Sequence, residues 1–475
     1  MKKTLKKLTV LVTTLIAVIV LSNTVSAKSA VTNYAVAARC ALTSAGTVSY
    51  SATLTQVPSS DDGLMYLVAM QPYEYSVTAT DYVVAQAPAS ATPSFSFSLN
   101  NQAGVSQICN KFGLCVKVGG KYQMIANAQY ITNPEVAATR TRQPQNVGYV
   151  EPYDKMVLYR VGEVNEALVN QGNYSTAVIV NCANPTLINP SCKIRDPHPM
   201  GTKKYYQFNA ATLDGVNTLR ASMYGLAANT RVDEFIFGNE VNTRTWNYMA
   251  FTGWDNFVRE YAQAFRVAYN AIKSANANAK VYISLDQMWD RNRAGDYTFM
   301  DAADFMIKFN ELICAEGNID WNLAFHPYLT PLTYAKFWDM SGCPNGSYYV
   351  NQIKTNKMVS FQNLPVMTSM MTVPGMLNSK GQVREIILPE IGITSAQGYE
   401  VQAAAMMACY QACRNNPLVK RIYFHRMNEG GQLNFGTVGI SEQVYQSLVR
   451  GNPGEYNQWA LNYIGISDWR QIIMY

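Results

Sequence analysis

The chain of 475 residues is 48% hydrophobic and only 15% charged, a balance that excludes a disordered protein and supplies apolar material for two domains. Four of its 38 basic residues and none of its 32 acids fall in the first 27 positions, so the remainder carries 34 basic against 32 acidic side chains. Such near-neutrality argues against nucleic acid as the main partner. The 31 Tyr and 7 Trp offer flat amphipathic faces, which suit sugar binding and β-rich cores alike.

Lys2, Lys3, Lys6 and Lys7 precede an apolar stretch from Leu8 to Leu21 and a small-residue ending, Val25-Ser26-Ala27. That order is the pattern of a secretory signal, read here over residues 1–27. A bacterial protein that is secreted or held at the cell surface is expected, with no stable membrane span once the signal is cleaved.

Residues 28–122 are rich in Ser, Thr, Val, Ala and Tyr, with alternating runs such as Val48 to Leu54 and Phe95 to Leu99. Period-two alternation between turn clusters such as Ser59-Ser60-Asp61-Asp62-Gly63 predicts half-buried strands and a small β-sandwich. Phe112 to Val118 reads as its last strand, with Gly119-Gly120-Lys121 as the turn after it. Nine cysteines in an exported chain invite local disulfides, Cys109 with Cys115, Cys182 with Cys192 and Cys314 with Cys343. Cys409 and Cys413 share a face of an alanine-rich helix and read as packing.

From residue 123 to 475 the texture changes to short apolar runs alternating with helix-period stretches, the mark of β-α units around a parallel sheet. Candidate strands are Met124 to Ala128, Ala177 to Val180, Glu234 to Phe237, Val281 to Leu285, Leu323 to Phe325, Glu385 to Leu388 and Ile422 to Phe424. A second strand without a clear signature is sought between residues 150 and 176. Between Trp254 and Lys273, apolar Phe257, Tyr261, Ala264, Phe265, Ala268 and Ile272 recur at three- and four-residue steps and predict one buried stripe. The fold class expected is α/β, a (β/α)8 TIM barrel preceded by the small N-terminal β-sandwich.

No HExxH, GxSxG, Walker loop or strand-led GxGxxG occurs, and the only three histidines, His198, His326 and His425, are far apart in sequence. Zinc hydrolase and nucleotide chemistry are therefore poorly supported, and neither a metal nor an organic cofactor is implied. Barrel enzymes place chemistry at the C-terminal ends of strands, where three segments stand out: Phe235 to Asn242 with Glu240, Ile386 to Gly392 with Glu390, and Ala324-Phe325-His326-Pro327-Tyr328 between them. Two carboxylates at strand ends are what glycoside cleavage requires, one to protonate the leaving oxygen and one to attack or stabilise the sugar carbon. Asn239 can hold a sugar hydroxyl. His326 and Tyr328, alternate residues on one strand face, and His425 after the eighth strand can orient the nucleophile or the sugar. Trp246 and Trp289 follow the fourth and fifth strands and are candidate sugar platforms.

Asn239-Glu240 after the fourth strand and Glu390 after the seventh resemble the acid/base and nucleophile positions of clan A glycoside hydrolases, retaining enzymes built on barrels. Gly238-Asn239-Glu240-Val241-Asn242, Tyr282-Ile283-Ser284-Leu285-Asp286 and His326-Pro327-Tyr328 further resemble an exported bacterial family known mainly as a domain of unknown function, over roughly residues 125–470. Where many clan members carry a Trp after the eighth strand, this chain has Tyr423-Phe424-His425. The resemblance implies an exported retaining glycosidase acting on a carbohydrate, with Glu240 as acid/base and Glu390 as nucleophile. The alternative is an inactive carbohydrate-binding or cell-envelope protein on the same scaffold.

Overall fold

A computed structural model describes residues 34–475 except 79–81, 100, 103–104, 146, 153–154, 162–176, 182–207, 244–245, 247–252, 292–298 and 426–432. The signal segment, Cys182, Cys192 and His198 lie outside the described residues.

Ten strands come first: β1 (Ala35–Ser44), β2 (Thr47–Leu54), β3 (Leu64–Met70), β4 (Tyr82–Pro88), β5 (Ser94–Ser98), β6 (Asn101–Gln102), β7 (Val105–Ser106), β8 (Lys111–Val118), β9 (Lys121–Met124) and β10 (Gln129–Tyr130). All their pairings are antiparallel, in one sheet of order β1-β2-β5, another of order β10-β8-β3-β4 with β9 also on β8, and a β6-β7 pair. Val48, Tyr50, Ala52 and Leu54 of β2 and Phe95 and Phe97 of β5 are the buried members of their strands, as the period of two requires. Gly119 (φ +59°) and Gly120 (φ +74°) supply two consecutive left-handed residues and close a tight hairpin. The chain therefore turns back into β9, placing Met124 opposite Cys115. Met124 to Ala128 is thus no strand of the parallel sheet, and the boundary expected at 122–123 falls inside β9.

The parallel sheet is built from β11 (Val150–Glu151), β12 (Met156–Arg160), β13 (Ala177–Asn181), β14 (Glu234–Phe237), β15 (Lys280–Leu285), β16 (Trp321–Phe325), β17 (Ile386–Ile391) and β18 (Val419–Phe424). Its order, β11-β18-β17-β16-β15-β14-β13-β12, sets the first strand beside the last and curls the sheet. β12 is the second strand that the sequence left unplaced. The helices among the described residues are α1 (Leu213–Asn229), α2 (Trp254–Ala275), α3 (Ala302–Ala315), α4 (Gly346–Lys354), α5 (Pro365–Met371), α6 (Tyr399–Arg414), α7 (Ile440–Val449) and α8 (Gly454–Ile464). None is long and apolar enough to cross a membrane.

On α2 the expected apolar stripe is buried, but so is every other residue from Tyr261 to Ile272. Segments between the N-terminal strands cover its second face: Asn270 Nδ2 donates to Ile108 O (2.7 Å) and Tyr75 OH to Gln263 Oε1 (3.1 Å). Buried Arg266 donates to Ile313 O (2.9 Å) and lies over the Tyr130 ring, 5.1 Å from its centroid. One continuous apolar core accordingly runs from Cys40 to Ile473.

Cys109, Cys115, Cys314 and Cys343 form no disulfide, which corrects two of the expected local bridges. Cys109 packs in the main core, whereas Cys115 belongs to a small cluster with Tyr66 and Val68, so short separation in sequence puts the two in different layers. Cys314 instead donates to Asn310 Oδ1 (3.7 Å) and Cys343 to Pro344 O (3.5 Å).

Inside the curled sheet, Met156, Ala177, Ile236, Tyr282, Ala324, Ile387 and Tyr423, one from each of seven strands, form a separate buried cluster. They fill the interior, so the only direction left for chemistry is beyond the strand ends.

Candidate active site

The chain leaves β14 through Gly238 (φ +88°) and Asn239 and reaches Glu240, itself at φ +43°. A left-handed glutamate is strained by on the order of 1–3 kcal/mol and persists only where its surroundings over-determine it. Ser284 of β15 does so from both ends: Glu240 N donates to Ser284 Oγ (3.1 Å) and Val241 N to Ser284 O (2.8 Å). The sharp turn aims the Glu240 carboxyl at the end of β16.

There His326 is fully buried, with Nδ1 donating to Glu240 Oε1 (3.0 Å) and lying 3.6 Å from Glu390 Oε2. Its Nε2 is 3.3 Å from Ser284 Oγ. Burial by itself pushes the imidazole toward neutrality, but the charges of Glu390, Glu240 and Asp286 and the bond to Glu240 outweigh it and raise its pKa above the ordinary value. Two residues on, Tyr328 OH donates to Glu390 Oε2 (2.9 Å) and lies 3.3 Å from His425 Nδ1. The backbone of His425 donates to Ile391 O (2.9 Å), which ties the eighth strand end to the seventh. Phe435 stacks on Tyr328 at 6.2 Å and 17°. Gly392 makes that possible, because a Cβ there would come within 2.2 Å of the Phe435 ring.

One carboxylate oxygen of Glu240, one of Glu390 and a ring nitrogen of His326 all lie within 4.8 Å of one another. Three donor atoms so placed can ligate one cation. With its pKa raised, a proton competes for that nitrogen, so the same three groups can also handle a proton.

Asp286, directly after β15, adds a third carboxyl. Its Oδ1 accepts from Asn242 Nδ2 (2.7 Å) and Met288 N (2.9 Å), while its own N–H donates to Asn242 Oδ1 (3.0 Å). Burial, then the charge of Glu240, push its pKa up to about 7, against the opposing pull of these hydrogen bonds and of Arg291.

Glu240, His326, Tyr328, Glu390 and His425 are therefore brought together from four strand ends. Asn239 is buried in the turn beside Glu240. Trp246 is half-buried. Trp289 packs edge-on against Phe325 (6.0 Å, 84°) within the main core and not among the carboxylates. Asn242, Ser284 and Asp286 entered the sequence reading only within the segments that carry the family resemblance, with no chemical role assigned, and Phe435 did not enter it. The rule that found Glu240, a polar residue directly after an apolar strand, would also have found Asp286.

The model of a family of unknown function, DUF5722, matches residues 145–472. The chain belongs to that family. No curated protein matches this DUF5722 chain. Among solved structures it is similar to a family 39 glycoside hydrolase from Bacteroides cellulosilyticus WH2, at 14% identity and a TM-score of 0.41, covering 82% of this chain and 77% of that one. It is also similar to a hyperthermophilic beta-glucosidase from Pyrococcus furiosus, at 16% identity and TM-score 0.34, covering 52% of this chain and 60% of that one. A third similar structure is a GH128 (subgroup II) endo-beta-1,3-glucanase from Sorangium cellulosum, at 12% identity and TM-score 0.30, covering 48% and 75%.

Proposed function

We propose that this DUF5722 protein is an exported glycoside hydrolase that cleaves a polysaccharide or oligosaccharide with retention of configuration. The observation that carries the reading is the approach of Glu240 and Glu390 oxygens to within 4.8 Å around His326. Retaining enzymes hold their carboxyl groups about 5–5.5 Å apart, whereas inverting enzymes leave ~6.5–9.5 Å for a water. The Tyr328 hydroxyl donates to Glu390 and the His326 ring lies 3.6 Å from the same oxygen, which holds that oxygen still while the other attacks the anomeric carbon. Glu240, hydrogen-bonded through a single oxygen to His326, then delivers its proton to the departing glycosidic oxygen. In the second step Glu240 takes a proton from water, which displaces Glu390 from the glycosyl-enzyme and returns both carboxyls to their starting state.

The adjacency of β11 and β18 supports reading the curled sheet as a closed (β/α)8 barrel, and the two antiparallel sheets before it as the N-terminal sandwich. Within this proposal Asn239, His425 and Trp246 line the sugar site.

The test is a screen of the full chain against aryl glycosides and polysaccharides beside a Glu390→Gln control. Turnover with retained anomeric configuration, absent in the control, supports the reading. Saturable sugar binding without turnover would instead favour the inactive carbohydrate-binding protein.

A further inference from the structure

Resting on the glycosidase reading, we propose that Asp286 is a positioning residue for Glu240: paired with Asn242, it clamps the strained Glu240 turn to the end of β15.

The left-handed Glu240 turn is anchored at its start by Ser284 and two residues later by Asn242. Asn242 is fully buried, and its amide makes a reciprocal pair with Asp286, Nδ2 to Oδ1 at 2.7 Å and Oδ1 from the Asp286 N–H at 3.0 Å. Its Nδ2 also donates to Met300 O (3.1 Å), and Met300 N returns a bond to Asn242 O (2.8 Å). An isolated turn could not stay at φ +43° with a bulky side chain, but one pinned at both ends to the next strand can.

The clamp's geometry needs an amide and an acceptor, so an amide side chain at position 286 would serve it as the carboxyl does, and an apolar one would not.

Three variants test the clamp. Asp286→Ala removes the Oδ1 acceptor and Asn242→Ala the amide, and each should lower kcat by about 100-fold on poor leaving groups, with little change in KM and a far smaller loss on activated aryl glycosides. Asp286→Asn keeps an Oδ1 acceptor and should restore most of the turnover. An equal loss on all substrates, or a loss in Asp286→Asn as deep as in Asp286→Ala, would overturn the proposal.

A readout without turnover is amide hydrogen exchange at Glu240 and Val241, whose N–H groups bond to Ser284. Asn242→Ala should speed it by about 10-fold or more while exchange in the distant strands holds. Unchanged exchange overturns the proposal even if every Asp286 variant fails to fold. Faster exchange in a protein that turns over no glycoside would sink the glycosidase reading and leave the clamp standing.

Discussion

The two ends of one parallel sheet handle buried charge in opposite ways. Toward the N-terminal ends, Glu234 and Glu385 each have a cation and a phenol. Glu234 pairs with Arg421 and accepts from Tyr423 OH (3.1 Å), while Glu385 pairs with Lys280 and accepts from Tyr282 OH (2.8 Å). At the C-terminal ends three carboxyls, Glu240, Glu390 and Asp286, crowd around one imidazole, and Glu240 adds a strained backbone. Matched charges hold strands together. Mismatched ones raise the pKa of His326 and of Asp286, as the proposed catalytic end of the sheet would require.

That contrast breaks if substitutions at the two ends have the same kind of effect. The largest effect is expected at Glu390: Glu390→Gln should lower kcat by at least about 10⁴-fold and abolish a covalent glycosyl-enzyme seen by intact-mass spectrometry, with the melting temperature little changed. Glu240→Gln should cost about 10²–10⁴-fold on poor leaving groups and much less on activated aryl ones. At the other end, Arg421→Met leaves Glu234 buried without its cation and should cost about 3–5 kcal/mol in chemical denaturation while kcat of the folded fraction holds. Adding Glu234→Gln to it should recover much of that loss. A fall in kcat with unchanged stability in Arg421→Met would erase the distinction between the ends.

Smaller effects sharpen it. Tyr328→Phe removes one hydrogen bond to a charged acceptor, about 1.5–3 kcal/mol, and should slow turnover by roughly 10- to 100-fold without shifting denaturation midpoints by a comparable amount. The pH dependence of stability should draw on the C-terminal end as well as on Glu234, whose carboxyl is also held above its ordinary pKa by burial. His326 has a raised folded-state pKa, so its contribution to stability is complete below its unfolded value and is lost as pH rises through the folded one. Asp286 has the same sign: a carboxyl held up near 7 when folded and at its ordinary value when unfolded favours the unfolded chain increasingly as pH climbs between the two. Melting temperature should therefore decline from acid toward neutral pH, and His326→Gln with Asp286→Asn should flatten that decline. A decline that survives both substitutions would mean that other groups govern it.

Much of this site was legible before any coordinates. Glu240, His326, Tyr328, Glu390 and His425 each follow or end an apolar strand run, and in parallel β-α units such positions gather at one face. Other readings failed for identifiable reasons. Met124 to Ala128 looked like an entering strand because an apolar run does not reveal its partner, and Gly119-Gly120 folded it back on β8. β11 is too short to leave a pattern. Trp289, placed beyond a strand end by counting, turns into the core against Phe325. The cysteine spacings gave loop length but not the layer into which each thiol points.

What the sequence by itself determined is local: the alternation that made β2 and β5 half-buried, the apolar stripe of α2, and the strand-end placing of two glutamates, all set by side-chain period and turn chemistry within a few residues. Only the tertiary structure decided that Ser284 would pin a left-handed Glu240, that His326 would stand between two carboxylates 150 positions apart, and that Asp286 would share their field. Those are distances between groups on different strands, and they depend on the curl and register of the whole sheet, which no local period encodes.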